Sequence, residues 1–413
     1  MKVLMVTPMP PDAQAPGAMP RVFQAQLTAL LERHTVTVIT VAGPDAHERQ
    51  AVERLRAAGV EVRAVVRTEP QGRDRWARRW RLGSGWLRGY PWRTVWFYEP
   101  QAQALIDAAL TEPGWEVVAV EDNAMGRYQY RTPAPTIYTE HEVRWPRPVA
   151  WRAWRPSRSL AWAAEELDWA RWRPYQLGVW SRFDRLQTFT ARDAEAIQSL
   201  APGLAARVRV NPFGVELPAP ADPACERPGA LLFVGNYTHW PNVDAALWLA
   251  QEIMPRLRRL TPGVRLQLVG LYPPASVRAL AGPDIDVVGP VPEIEPLAAR
   301  AAVVLAPVRV GGGMRMKVLH SMALGKAVVT TPRGAEGLAI DGVPPPLVVA
   351  EDADRLARAT AALLADPGRR QALGRRARAF VAEHFSPPAY ARRLEAIYVE
   401  LAARVAGPPP GVR

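Results

Sequence analysis

A single cysteine, Cys225, in 413 residues leaves no partner for an internal disulfide and no thiol pair for zinc or redox chemistry. Lysine is nearly as scarce. It stands only at positions 2, 317 and 326, so arginine carries almost all of the 52 basic residues set against 40 acidic ones. No uncharged apolar run reaches the roughly 18 residues that a membrane span requires. A disulfide scaffold, a cysteine-ligated metal protein and a helical integral membrane protein are thereby excluded as descriptions of the chain. Residues 1–7 hold one lysine and few apolar residues before Pro8, Pro10 and Pro11, a stretch too short and too soon broken for a signal peptide. With the lone cysteine, this leads to the expectation of a cytoplasmic protein.

What is present is a globular composition, 48% hydrophobic and 22% charged, on a chain long enough for two or three domains that each bury a core. The net charge of +12 and pI near 10.3 favour anionic partners: phosphorylated ligands, acidic lipid surfaces or nucleic acid.

Short β-branched runs alternate with helical patterns along the whole chain, which predicts repeated βα units around parallel sheets. One set of strands falls at 3–6, 36–41, 60–66, 117–120, 136–138, 186–189 and 208–210, and a second at 231–234, 266–269, 286–288, 303–305, 327–330 and 347–349. Pro218, Pro220, Pro223 and Pro228 mark 217–229 as a linker between domains 1–216 and 230–386. Residues 387–413 read as a terminal helix free to return to the first domain. Two doubly wound α/β domains facing a cleft are the expected fold.

Thirteen of the 15 tryptophans lie between residues 73 and 185, interleaved with arginines. Two readings stay open for them. Indoles and guanidinium groups suit an anionic bilayer surface, and amphipathic core helices have the same spacing.

Three strand-end segments carry candidate chemistry. After the first strand, the loop 8–17 brings Gly17 and Arg21 to the edge where parallel sheets bind ligands. After 136–138, Glu140, His141 and Glu142 gather two carboxylates and an imidazole, with His141 and Glu142 as candidate catalytic groups. The richest segment follows strand 303–305. Gly311, Gly312 and Gly313 let the backbone approach a ligand, a helix begins, and Arg315 and Lys317 add two cations, which together describe a diphosphate site. Gly235 and Asn236, at the end of the first strand of the second domain, and Glu336, in the loop 330–338, lie at the same rim.

Several of these segments together resemble the retaining nucleotide-sugar glycosyltransferases of family 4, in order and over nearly the whole chain. The residues that carry the resemblance are Val3-Leu4-Met5-Val6-Thr7-Pro8 with Gly17 and Arg21, Glu140-His141-Glu142-Val143, Asn211-Pro212-Phe213-Gly214-Val215-Glu216, Phe233-Val234-Gly235-Asn236 with Trp240-Pro241-Asn242-Val243-Asp244, and the stretch from Gly311 to Glu336. The resemblance implies the GT-B fold, an acceptor-binding first domain, a donor-binding second domain and transfer with retention, without metal or cofactor. It implies that His141 contacts the transferred sugar.

Two departures stand out. The family's pair of glutamates, separated by seven intervening residues, falls on Gly312 and His320, and its diphosphate-binding arginine falls on Asn236. Arg315 and Lys317 would then supply the relocated charge, and His320 a bond to ribose. The expected partners are a nucleotide sugar, an acceptor of unknown identity and an anionic membrane surface at the cytoplasmic face, with no nucleic acid. A nucleotide-sugar epimerase-like enzyme on the same fold and a non-catalytic binder of anionic surfaces are the alternatives, separable by nucleotide release with and without acceptor and by salt dependence.

Overall fold

The computed structural model describes residues 1–15, 18–67, 73–145, 160–311, 315–340 and 342–405. The chain divides into two compact units, Met1–Phe213 with Tyr390–Arg413, and Gly214–Ala389. All thirteen strands expected from the β-branched runs form, seven in the first unit and six in the second.

In unit 1 the strands are β1 (Lys2–Thr7), β2 (Thr35–Ala42), β3 (Glu61–Val66), β4 (Val117–Glu121), β5 (Thr136–Glu140), β6 (Arg185–Thr188) and β7 (Val208–Val210). They pair in parallel in the order β3-β2-β1-β4-β5-β6-β7. Both faces of this sheet are covered. Leu4 and Val6 point into a core with Val118, Val120, Trp180 and Phe183, while Val3 and Met5 point into another with Phe23, Leu27 and Val38. A strand buried on two faces needs an unbroken apolar run, which is why these strands read so clearly in the sequence. The helix Pro387–Val405 belongs to the second of these cores through Tyr390, Leu394, Ile397, Tyr398 and Leu401.

Unit 2 repeats the plan with β8 (Ala230–Val234), β9 (Arg265–Val269), β10 (Ile285–Gly289), β11 (Val303–Ala306), β12 (Ala327–Thr330) and β13 (Val348–Val349), in the order β10-β9-β8-β11-β12-β13. The proline-rich stretch 217–229 lies inside this unit and is tied to it. The Glu226 carboxylate takes Lys326 Nζ at 2.6 Å and Arg370 Nη2 at 2.8 Å, and Ala221 N–H donates to the Leu324 carbonyl at 2.9 Å. Prolines here restrict the path of the chain, with a 3-10 turn at Pro223–Cys225, and the ion triad fastens it to the start of β12 and to the helix Pro367–His384.

In each sheet the chain reverses its direction of travel once, between β1 and β4 and between β8 and β11. A crevice opens beyond the carboxyl ends of the strands at such a reversal, and open α/β sheets bind ligands there. Among the described residues, no helix is long and apolar enough to cross a membrane.

Candidate functional site

In unit 2 the reversal point brings together the ends of β8 and β11 and the helix Met316–Ala323. Gly235 follows β8 under the side chain of Asn242. A Cβ on Gly235 would lie 2.9 Å from Asn242 Cβ and 3.0 Å from its Cγ, so glycine is what allows the approach. Asn242 then acts as a bridge. Its Nδ2 donates to the Asn236 carbonyl at 2.6 Å, and its Oδ1 accepts from Lys317 Nζ.

Lys317 is partly exposed, with its ammonium 4.9 Å above the Phe233 ring. Burial, helped by the nearby Arg315 guanidinium, pushes its pKa down to about 7. Among the described residues no carboxylate pairs with this ammonium, and a group so held has its charge stabilised when an anion arrives.

Arg315 is the second cation. It is buried and tethered, with Nε donating to the Arg333 carbonyl at 3.0 Å, Nη2 to the Gly311 carbonyl at 2.9 Å, and Nη2 standing 3.6 Å from Glu336 Oε2. Glu336 in turn receives Arg333 Nη1 on both oxygens, at 2.9 and 2.8 Å. Gly311 has φ = +104°, a conformation that suits only glycine at this turn. Thr331 accepts from Gly334 N–H at 3.0 Å and so fixes the loop after β12 that carries Arg333 and Glu336.

The other expected donor-site residues are placed as follows. The Asn236 side chain closes its own turn, accepting from Thr238 N–H at 3.0 Å and Thr238 Oγ1 at 2.8 Å. His320 is half-exposed, with Nε2 3.5 Å from Glu295 Oε1. Gly17, Gly312 and Gly313 lie outside the described residues.

In unit 1 the equivalent place holds a polar cluster that sequence reasoning found only in part. His141 follows β5, and its Nε2 lies 3.3 Å from Glu121 Oε2 at the end of β4. Glu121 is fully buried and also accepts from Gln26 Nε2 at 2.5 Å and Thr139 Oγ1 at 3.0 Å. Phe23 and Phe189 meet the imidazole edge-on, with centroids 5.2 and 5.0 Å away.

Glu140 points to the opposite side of the sheet. Its carboxylate accepts from Trp180 Nε1 at 2.9 Å and Gln176 Nε2 at 3.1 Å, and burial nevertheless raises its pKa to about 7. Glu142 is partly exposed and lies 3.4 Å from Arg144 Nη2. The carboxylate that meets His141 is therefore that of Glu121, not of either flanking glutamate.

Next to it, Asp122 adopts φ = +72°, rare for a residue with a side chain, and is held by Arg93 Nη2 at 3.1 and 3.2 Å. The signal that would have found Glu121 and Asp122 is their position, polar residues closing an apolar strand at the chain's reversal point. Arg21, at the start of the chain's first helix, donates through Nε to the Ala15 carbonyl at 2.7 Å.

Two parallel sheets of one strand order, each with a polar site at its reversal point, describe a known architecture. Solved structures of the same fold cover nearly all of the chain. HepE from Anabaena in complex with UDP and glucose aligns over 97% of this chain and 100% of its own, with a TM-score of 0.66 and 13% identity. Sucrose-phosphate synthase from Thermosynechococcus elongatus aligns over 98% and 99%, with a TM-score of 0.63 and 16% identity. A glycosyltransferase from Rickettsia africae aligns over 97% and 98%, with a TM-score of 0.59 and 14% identity.

The fold is GT-B.

Within this GT-B chain, residues 228–366 match the family described as Glycosyl transferases group 1. That match takes in the whole cluster of Gly235, Asn242, Arg315, Lys317 and Glu336. No curated protein matches the chain.

Proposed function

We propose that the protein is a retaining glycosyltransferase that moves a sugar from a nucleotide-diphosphate sugar to an acceptor hydroxyl, in the biosynthesis of a polysaccharide, glycolipid or other glycoconjugate. The observation that carries this reading is the pair of cations, Arg315 and Lys317, at the reversal point of a glycosyl transferases group 1 segment. In the reaction the bond from the anomeric carbon to the diphosphate oxygen breaks and its electron pair leaves on the diphosphate. The acceptor oxygen bonds to that carbon on the same face, and its proton passes to the departing diphosphate oxygen. Arg315 and Lys317 stabilise the leaving charge without a metal, because charge-assisted hydrogen bonds in a partly buried site are strong.

In the same proposal unit 2 takes the donor and unit 1 the acceptor, and His141, steadied by Glu121, contacts the transferred sugar. Glu336 and His320 hold polar groups of the donor. The protein works in the cytoplasm, peripherally at the membrane. UDP-hexoses are the first donors to try, since HepE is bound to UDP and glucose and, in another structure, to UDP-glucose.

A panel of nucleotide sugars in a thermal-shift assay tests donor binding, because a ligand of the native state raises Tm by mass action. Selective stabilisation by one nucleotide family, with nucleotide release only when an acceptor is added, is the expected result. Release of product without acceptor would instead support an epimerase-like reaction, and no shift with any nucleotide sugar would overturn donor binding altogether.

A further inference from the structure

The tryptophan-rich part of unit 1 is two different things. Trp115, Trp172 and Trp180 are buried. Trp76, Trp80, Trp92 and Trp96 are not, with exposures of 73%, 77%, 46% and 44%, and they are the exposed tryptophans among the described residues. Trp76 and Trp80 lie on the helix Arg73–Leu87, and Leu87, 77% exposed, lies on it too. Spacings of 4 and 11 residues put all three side chains on one face of a helix, over about 16 Å of its length. The helix Trp92–Trp96 packs beside it and carries the other two indoles.

This face is held from beneath. Trp86 Nε1 and Trp92 N–H both donate to Asp168 Oδ1, at 3.3 and 2.7 Å, the Arg171 guanidinium lies 3.7 Å from the Trp86 ring centroid, and Leu82 and Val95 are buried. A pair of helices fixed on their inner side and apolar on their outer side presents a preformed surface. Single exposed apolar residues need no explanation, but a row of indoles does.

The charge on the same surface identifies what it fits. From residue 75 to residue 98 there are six arginines and no acidic residue. Arg81 and Arg93 are spent on Glu99 and Asp122. Arg78 and Arg79 lie against indoles, 4.8 Å from the Trp96 ring centroid and 5.6 Å from that of Trp76, and among the described residues no carboxylate pairs with them or with the exposed Arg88. Indole rings settle at the headgroup level of a bilayer, and guanidinium groups beside them meet lipid phosphates bidentately. A second copy of the chain fits less well, since a two-fold contact on this face would set its unpaired arginines against themselves.

We infer that the outer face of the helices Arg73–Leu87 and Trp92–Trp96 is a docking surface for an anionic lipid bilayer, with Trp76, Trp80, Trp92, Trp96 and Leu87 entering the headgroup layer and the exposed Arg79 and Arg88, which flank the Trp76–Leu87 stripe on either side, pairing with lipid phosphate. This deepens the proposed function by giving peripheral attachment a defined surface, and it rests on that reading only in making a lipid-linked acceptor the natural substrate.

The full-length protein and a Trp76→Ser/Trp80→Ser double variant are floated with vesicles of pure phosphatidylcholine or with 30% phosphatidylglycerol added. The expected result is that wild-type protein floats only with the anionic vesicles, is released by 0.5 M NaCl, and shows a blue shift of tryptophan emission on binding, while the double variant binds at least tenfold more weakly. Its Tm and its stabilisation by nucleotide sugars should equal the wild type's, since neither indole is in the core or in unit 2. An Arg79→Glu/Arg88→Glu variant should lose binding as well. Equal binding of wild type and the tryptophan variant, binding indifferent to lipid charge, or absence of binding at low salt would overturn the inference. Concentration-dependent dimerisation lost in the tryptophan variant, without vesicle binding, would reassign the face to a contact between copies, and RNA binding in place of vesicle binding would reassign it to nucleic acid. Loss of donor binding with intact vesicle binding would sink the proposed function and leave this surface standing.

Discussion

His141 Nε2 stands 3.3 Å from a carboxylate oxygen of Glu121, a residue twenty positions earlier, fully buried and fixed by Gln26 and Thr139. A buried carboxylate that receives two other hydrogen bonds cannot easily move, so it sets the orientation of the imidazole, as positioning groups do for catalytic histidines in general. On the proposed reading the free edge of the ring is the part left for the substrate.

The first prediction follows from that pair. His141→Ala should lower turnover roughly 10- to 1000-fold while leaving the affinity for free nucleoside diphosphate unchanged, because the proposed diphosphate cations Arg315 and Lys317 belong to unit 2 and His141 to unit 1. Glu121→Gln should lower kcat less, roughly tenfold, with KM for the donor nearly constant. Equal losses of diphosphate affinity in calorimetry would show that both residues serve structure alone.

The second prediction concerns Lys317. Its ligand-free pKa is pushed down to about 7, and a bound diphosphate would raise it. Between those two values binding must take up a proton, so affinity is greatest below about pH 7 and falls as the pH rises from there. Titration calorimetry at pH 8 in buffers of different ionisation enthalpy should report uptake approaching one proton. Lys317→Arg, charged throughout, should bind with a flatter pH dependence, whereas Lys317→Ala should lose about 2 to 5 kcal/mol. Arg315→Ala should lose a similar amount and also lower Tm, because Glu336 and the Gly311 and Arg333 carbonyls are left without its guanidinium. Buffer-independent heats would dispose of the proton linkage.

How much of this the sequence carried depends on how local each feature is. Runs such as 36–41 and 117–120 are apolar on both faces of a parallel strand, so the two sheets were legible from β-branched residues alone. Arg315 and Lys317 were legible because a glycine turn and a helix start lie next to them in the chain. The partner of His141 was not, because it comes through the β4–β5 register, which sets Glu121 beside Thr139, while alternation along β5 turns the adjacent Glu140 to the other face. Asn242 stood in a segment the sequence already marked, but its bond to Lys317, 75 residues away, was hidden for the same reason. Spacings alone could not separate Trp76 and Trp80 from Trp172 and Trp180, since core and interfacial helices share one period.

The third prediction uses Glu140. Its folded-state pKa of about 7 lies above the ordinary carboxyl value of 4.5, so the native protein binds more protons than the unfolded chain between those values. Stability then falls as the pH rises from about 4.5 to 7 and levels off above, by on the order of 3 kcal/mol from this group. Glu140→Gln keeps an acceptor for Trp180 and removes the charge. Denaturation curves at pH 5 and pH 8 should differ less for the variant than for wild type, and an undiminished difference would rule Glu140 out as the source.

The last prediction separates two glycines. A Cβ at Gly235 would meet Asn242 Cβ at 2.9 Å, and Asn242 is the residue that holds both the Asn236 carbonyl and Lys317. Gly235→Ala must push that side chain aside, so it should weaken diphosphate binding by about 1 to 3 kcal/mol, the cost of loosening one charge-assisted bond, together with some loss of stability. Gly289 has φ = +77° with open space around it. Gly289→Ala therefore strains only the backbone, for about 1 to 2 kcal/mol of stability, and should leave the binding of nucleotide untouched. Chemical denaturation and calorimetric titration of the two variants side by side make the comparison. If Gly235→Ala binds diphosphate as well as wild type, Asn242 does not position Lys317, and the ammonium must be held for its ligand by the Phe233 ring and the helix alone.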